Sequence, residues 1–206
     1  MLIKYVYHRV NKVEDIKKIN PSWGVEIDLR SNVKKNGTLH LSHDPWTEGD
    51  DFEDWLKIFV NHRIEGPIIL NTKEDGLESR VIELLDYYKI ENWFFLDTAF
   101  PTLVKYTLHK NETRFAVRYS CYEPIESLIP FIGKAQWVWV DCFGGLPVDH
   151  DILKIISKNF KICLVSPELV GKNITDINNF FNLSKYAKLI CTKDPNFWMR
   201  NLNYFR

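Results

Sequence analysis

The feature that most constrains this 206-residue chain is an alternation of two hydrophobic periods. Eight short runs rich in β-branched and aromatic residues recur: "YVYH", "GVEIDL", "PIILNTK", "WFFLD", "RFAVRYS", "QWVWVDCF", "KICLVS" and "AKLICT". Between them lie stretches of helical periodicity. In "DFEDWLKIFVNH", Phe52, Trp55, Leu56 and Phe59 fall on one face at i, i+3, i+4 and i+7. "GLESRVIELLDYYK" repeats the pattern through Leu77, Val81, Leu84 and Leu85. "DHDILKIISKN" and "TDINNFFNLSKYA" open with Asp or Thr where an N-cap is wanted. Eight strand candidates, most of them followed by a helix candidate, predict repeated parallel βα units.

Eight such units predict an α/β fold of the compact (β/α)8 TIM-barrel type, a single domain spanning residues 1–206. An open doubly wound sheet is the alternative, but it would more often carry a Gly-rich first turn, and none follows "YVYH". The chain sits at the short end for a barrel, so some helices must be brief or missing. The weakest is "EPIESLIPF", broken by Pro124 and Pro130.

Charge narrows the partners. Lys plus Arg and Asp plus Glu number 27 each, so no global field draws the chain to nucleic acid, and an anionic ligand must be met by a local site. No apolar run approaches the roughly 18 residues of a membrane span, and "MLIKYVYHRV" lacks the pattern of a signal peptide. Cys121, Cys142, Cys163 and Cys191 have no metal-ligand spacing and read as small buried thiols, so a cytoplasmic location is expected.

Barrel strands are buried on both sides, so polar residues in them need a reason. His8, Arg9, Glu26, Asp28, Asn71, Lys73, Asp97, Arg118, Asp141, Ser166, Thr192 and Asp194 all fall in or just after strand C-terminal ends, where barrel sites are built. Glu26 and Asp28 are two residues apart and point to one face, about 6–7 Å from each other. Buried together they repel unless a cation lies between them, and hard oxygen ligands suit Mg2+ or Ca2+. In "TLHLSHDPW", Asp44-Pro45 forces a turn that presents His43 to the mouth with His8, and two histidines beside a metal suit acid–base work. His40 and His62 read as surface or helix residues, His109 and His150 as helix ends. Trp46, Trp137, Trp139 and Trp198 read mainly as core or barrel wall, with a lesser prospect that one lines a mouth for a sugar or glycerol. Arg118, ending an apolar strand, is read as a contact for phosphate or a second anionic group.

"HR" after the first strand, "VEIDLR" in the second and "LSHDP" after a short polar insertion together resemble the glycerophosphodiester phosphodiesterase family, within the wider group of barrel phospholipases D and phosphatidylinositol phospholipases C. The likeness continues through "ILNTK" and ends at "TKDPNFW". It implies a metal-dependent phosphoric diester hydrolase acting on a small glycerophosphodiester or related phospholipid head group. His8 and His43 would be the acid–base pair, Glu26 and Asp28 the metal ligands, and Arg9 and Lys73 the phosphate contacts. The attacking oxygen is either water or a hydroxyl of the substrate. Where the family carries an acidic residue before the Thr72–Lys73 pair, this chain has Asn71, whose amide oxygen ligates without charge, so Asp141 first and Asp97 second are expected to supply the missing carboxylate. The family's "P-E-N-T" after H-R is replaced by "VNKVED". These departures motivate the alternative of a catalytically silent barrel that binds a phosphorylated ligand or a protein partner.

Overall fold

A computed structural model describes residues 3–32, 37–143 and 149–204. Eight parallel strands form a closed ring: β1 (Lys4–Tyr7), β2 (Gly24–Asn32), β5 (Ile68–Thr72), β6 (Trp93–Leu96), β7 (Ala116–Tyr119), β8 (Trp137–Val140), β9 (Lys161–Val165) and β10 (Ala187–Thr192), which pairs back to β1. Each of the eight runs singled out above supplies one of them. The seam between β6 and β7 is the thinnest, made by the parallel bridge Phe95–Phe115 and by the Phe95 N–H donating to the Arg114 carbonyl at 2.9 Å. The fold is the TIM barrel, as expected.

Its small size comes from trimmed connections. Helices α2 (Phe52–Asn61) and α3 (Glu78–Tyr87) bury the predicted faces: Phe52, Trp55, Leu56 and Phe59 in one, Val81, Leu84 and Leu85 in the other. The Asp51 carboxylate caps α2 by accepting from the Glu53 and Asp54 N–H groups. Elsewhere the helices are short: α1 (Val13–Ile16), α4 (Phe100–Val104), which continues as a π-turn over Lys105–His109, and α5 (His150–Ile156), capped by Asp149. After β7 the chain makes only a 3-10 turn, Ile125–Phe131, because Pro124 and Pro130 deny it helical hydrogen bonds. "TDINNFFNLSKYA" is not one helix: a 3-10 segment, Ile174–Phe180, precedes α6 (Phe181–Ser184), and the cap is Asn173, not Thr175. Helix α7 (Pro195–Tyr204) closes the chain. Among the described residues no helix is long and apolar enough to cross a membrane.

Strand β2 overshoots the barrel and pairs antiparallel with β3 (Thr38–Leu41), which in turn pairs with the two-residue β4 (Asp50–Asp51). This hairpin returns the chain to the barrel rim, where the Ser42 N–H donates to the Asp28 carbonyl at 3.0 Å. Gly49 permits the tight return, since a Cβ there would lie 1.9 Å from the Leu41 carbonyl oxygen. At the other end of β2, a Cβ on Gly66 would lie 2.1 Å from the Trp23 backbone. That close approach leads β5 into the register that sets Asn71 beside Asp28.

Candidate functional site

The mouth is organised around two carboxylates of β2. Alternation sends Val25, Ile27 and Leu29 outward into the packed shell and Glu26 and Asp28 to the other face, and both acids are almost fully buried. Their surroundings are built from the end of β1. Arg9 takes a left-handed backbone (φ 57°), uncommon for a residue with a Cβ, and this turns its N–H onto Glu26 Oε2 at 2.8 Å. The His8 Nε2 stands 3.7 Å from the same oxygen. Asp28 is gripped by Asn11, whose Nδ2 donates to Oδ2 at 2.8 Å and whose Oδ1 accepts the Asp28 N–H at 2.9 Å. Arg9 Nε lies 3.8 Å from Asp28 Oδ2, and Lys73 Nζ lies 3.1 Å from Oδ1.

Burial, and then the charge of Asp28, push the Glu26 carboxyl up to about 8, against the pull of the Arg9 N–H, Lys73 and the Asn71 amide. His8 is pushed down to about 4, first by burial and next by the Arg9 charge. Glu26 also adds to the upward shift of the buried Cys163 and Cys191 thiols on β9 and β10.

The structure therefore brings His8, Arg9, Glu26, Asp28, Asn71 and Lys73 together. His43 stands on the loop after β3, half exposed, its Nδ1 2.7 Å from Asp44 Oδ1 and its carbonyl accepting from Arg30 Nη2 at 3.0 Å. Asp44 in turn feels Arg9, which places this loop beside the β1 end.

Asp141 and Arg118 belong to another cluster, on the far side of the ring. Arg118 donates to Asp141 Oδ2 at 2.6 Å and to Asp97 Oδ1, and its Nε lies 3.9 Å from Glu123. Asp141 also accepts from Trp139 Nε1 and the Cys142 N–H. Its oxygens are thus occupied, and it makes no ion pair or hydrogen bond with Glu26 or Asp28. Burial and strand-end position made it look like a spare ligand; the Arg118 guanidinium on the adjacent strand claims it instead.

His40 and Cys121 depart from their expected places, while most of the tryptophans and cysteines keep theirs. His40 is buried on β3, with Nε2 on the Thr47 carbonyl at 3.2 Å. Trp137, Trp139 and Trp198 are buried wall residues, and Trp198 Nε1 donates to Ser166 Oγ at 2.7 Å. Trp46 alone of the four is exposed at the rim. Cys121 is exposed, whereas Cys142, Cys163 and Cys191 are buried as expected. Asn11 and Glu168 were not foreseen. Glu168 ties Ser166, Thr192 Oγ1 (2.6 Å) and the Lys193 N–H (3.0 Å) into one network across β9 and β10. The available signal was a lone polar residue in the turn after each strand, three residues past His8 and two past Ser166.

Glu26 Oε1 and Asn71 Oδ1 are buried and accept no hydrogen bond, and Asp28 Oδ1 has only its ion pair with Lys73. Three under-satisfied oxygens, two of them carboxylate, are the donor chemistry of a hard divalent cation. Among the described residues no three His, Cys, Asp or Glu side chains converge as a metal-ligand group, and the third under-satisfied oxygen beside the two acids is the amide oxygen of Asn71.

No family model and no curated protein sequence matches the chain. Solved structures do. A Galdieria sulphuraria protein assigned as a glycerophosphodiester phosphodiesterase superposes with a TM-score of 0.73 at 16% identity, covering 98% of both chains. An Oleispira antarctica phosphodiesterase in complex with the product sn-glycerol-3-phosphate gives 0.72 at 12% identity, covering 98% of this chain and 97% of that one. The Agrobacterium tumefaciens glycerophosphodiester phosphodiesterase gives 0.68 at 11%, covering 96% and 99%. The chain has the fold of the glycerophosphodiester phosphodiesterases. The likeness runs end to end.

Proposed function

We propose that this barrel is a metal-dependent phosphoric diester hydrolase that cleaves a glycerophosphodiester or related phospholipid head group, with His8 and His43 as its acid–base pair. The observation that carries the reading is the buried Glu26–Asp28 pair, set within ion-pair distance of His8, Arg9 and Lys73. The names of the structural neighbours, all phosphodiesterases, support it.

Glu26, Asp28 and Asn71 would hold Mg2+ or Ca2+. Bound there, the ion supplies Lewis-acid polarisation of the phosphoryl oxygens and offsets the charge that builds on them. Arg9, half exposed on a fixed backbone, and Lys73 face the same space and hold the remaining oxygens of the diester, the first as a rigid fork and the second as a point charge. A His8 held neutral by burial takes the proton of the attacking oxygen at Nε2, the nitrogen turned towards Glu26. Asp44 fixes the His43 ring through Nδ1, leaving Nε2 to protonate the departing alkoxide. The attacking oxygen is water or a hydroxyl of the substrate; a cyclic phosphate among the products, read by phosphorus NMR, identifies the second. All four cysteines are free thiols, which supports a cytoplasmic location.

The test is release of alcohol from glycerophosphocholine, glycerophosphoinositol and a lysophospholipid with Mg2+, Ca2+ or EDTA. Turnover should need metal and fall by at least about 100-fold in His8→Ala. Turnover in EDTA, or undiminished turnover in His8→Ala, would remove the proposal. One observation favours a second reading: Lys73 and Arg9 already neutralise Asp28, and among the described residues no third acid joins the pair. A silent barrel that binds phosphorylated ligands would show phosphate-ligand affinity with no turnover, and Asn71→Asp or Asn71→Glu would then raise activity from zero.

A further inference from the structure

One cation at the mouth has no part in the site described so far. Lys193 follows β10, whose ladder with β1 runs in parallel register from Lys4–Leu189 to Tyr7–Thr192. The His8 N–H extends that ladder by donating to the Thr192 carbonyl at 3.1 Å. Cys191, Val6 and Gly24 stand in one row across β10, β1 and β2. Side chains two apart on a strand share a face, so the next row on that face is Lys193, His8 and Glu26. The 3.7 Å approach of His8 to Glu26 agrees with this row, and Lys193 stands exposed at its other end. After burial, Arg9 and Asp28, the Lys193 charge acts on His8 and outweighs that of Lys73, which itself lies 3.1 Å from Asp28.

The peptide that carries Lys193 is fixed while its ammonium is not. Glu168 Oε1 accepts from the Lys193 N–H at 3.0 Å and from Thr192 Oγ1 at 2.6 Å, and its other oxygen accepts from Ser166 Oγ. Thr192 Oγ1 in turn accepts the Asp194 N–H at 3.1 Å, and Asp194 Oδ1 accepts the Phe197 N–H at 2.9 Å. The two acids nearest Lys193 along this turn thus hold backbone and hydroxyl groups, and the ammonium has no ion-pair partner among the described residues. Arg9 and Lys73 differ, because each lies against Asp28, at 3.8 and 3.1 Å. A cation that already faces an anion offers less net field to a second one. Of the three positive side chains that act on His8, Lys193 alone is uncommitted.

We infer that Lys193 is a third phosphate contact of this site, its ammonium binding a non-bridging oxygen beside His8 from a turn that Glu168 holds in place. The inference rests on the phosphodiesterase reading for the phosphoryl group that the ammonium meets.

Three variants of the full chain test it: Lys193→Gln, Lys193→Arg and, as a control, Lys158→Gln, which removes the same charge from an exposed position just after α5. The first measurement is kcat/KM on whichever ester of the panel above turns over fastest. It should fall at least about tenfold in Lys193→Gln, the usual loss for a hydrogen bond to a charged group. Lys193→Arg should restore most of it, and the control should match wild type. The second measurement needs no turnover: the dissociation constant for inorganic phosphate, read from the phosphate-dependent rise in Tm. It should weaken by about tenfold in Lys193→Gln and stay unchanged in the control. Weaker phosphate binding in Lys193→Gln, with no turnover even in wild type, keeps the contact and removes the hydrolase. Turnover and phosphate affinity both untouched in Lys193→Gln remove the contact and keep the hydrolase, as does a fall in kcat/KM with phosphate affinity unchanged. A loss that Lys193→Arg does not restore, or that Lys158→Gln shares, overturns the inference in favour of a backbone effect or of overall charge. No turnover in wild type with unchanged phosphate affinity in Lys193→Gln removes both claims.

Discussion

Glu26→Gln should stabilise the metal-free protein, and by an amount that grows with pH. The Glu26 carboxyl is raised from 4.5 in the open chain to about 8 in the fold, by burial first and by Asp28 second. Folding therefore keeps a proton that the unfolded chain gives up above pH 4.5, so stability is full below that value and declines as pH rises towards 8. At pH 7 the gap of about 2.5 pH units is worth on the order of 3 kcal/mol. His8, lowered from 6.5 to about 4, has the opposite sign and matters only below about pH 6.5, where the unfolded chain takes up its proton. Above about pH 6.5 the His8 contribution is absent, so the comparison of variant with wild type reads Glu26. Gln keeps the shape and still accepts the Arg9 N–H without needing a proton. Urea unfolding in EDTA at pH 6.5, 7.0 and 7.5 should show the variant ahead of wild type, with the gap widening by about 1.4 kcal/mol per pH unit. A variant that is no more stable, or a gap that ignores pH, would refute the claim that Glu26 is held in an uncompensated buried position. Saturating Mg2+ or Ca2+ should reverse the order, because only wild type then gains binding free energy.

Three further outcomes follow from the same geometry. Native protein should expose one thiol to an aromatic disulfide reagent and denatured protein four, since Cys121 is exposed while the Cys142 thiol is buried and pushed up to about 12 and Cys163 and Cys191 lie deeper still; two or more fast native thiols would contradict this. Trp198→Phe removes the donor to Ser166 Oγ and should cost about 1–2 kcal/mol, roughly 4 °C in Tm by calorimetry, with no change in metal affinity. Arg118→Met should cost about 2 kcal/mol by leaving Asp97, Glu123 and Asp141 to repel one another, and pairing it with Asp141→Leu should recover part of the loss in a double-mutant cycle.

How far the sequence foretold this molecule depended on the range of the forces involved. The eight strands were legible because each is a short apolar run, and the outward set Val25, Ile27 and Leu29 differs from the inward Glu26 and Asp28 by strict alternation, a local property. The missing helix after β7 was legible for the same reason, since Pro124 and Pro130 act on their own backbone. The partnerships of the polar groups were not local. Asp141 and Asp28 look alike in sequence, each closing or lying within an apolar strand, yet one meets Arg118 on the adjacent strand and the other meets Asn11 and Lys73. Which cation each acid finds is set by barrel order and register, with contacts 17 to 45 residues apart along the chain. Asn11 shows the cost of reading types without register: as a neutral residue in a turn it drew no attention, although it satisfies both the carboxylate and the N–H of Asp28. The same distinction explains the asymmetry of the site. Asp28 has three side-chain partners, Asn11, Arg9 and Lys73, whereas Glu26 accepts the Arg9 N–H and keeps Oε1 without a hydrogen-bond partner. On the proposed metal-site reading, a cation at this mouth would gain most from Glu26, and the Asn71 amide beside it would complete the oxygen set without adding a third charge to a pair that already repels.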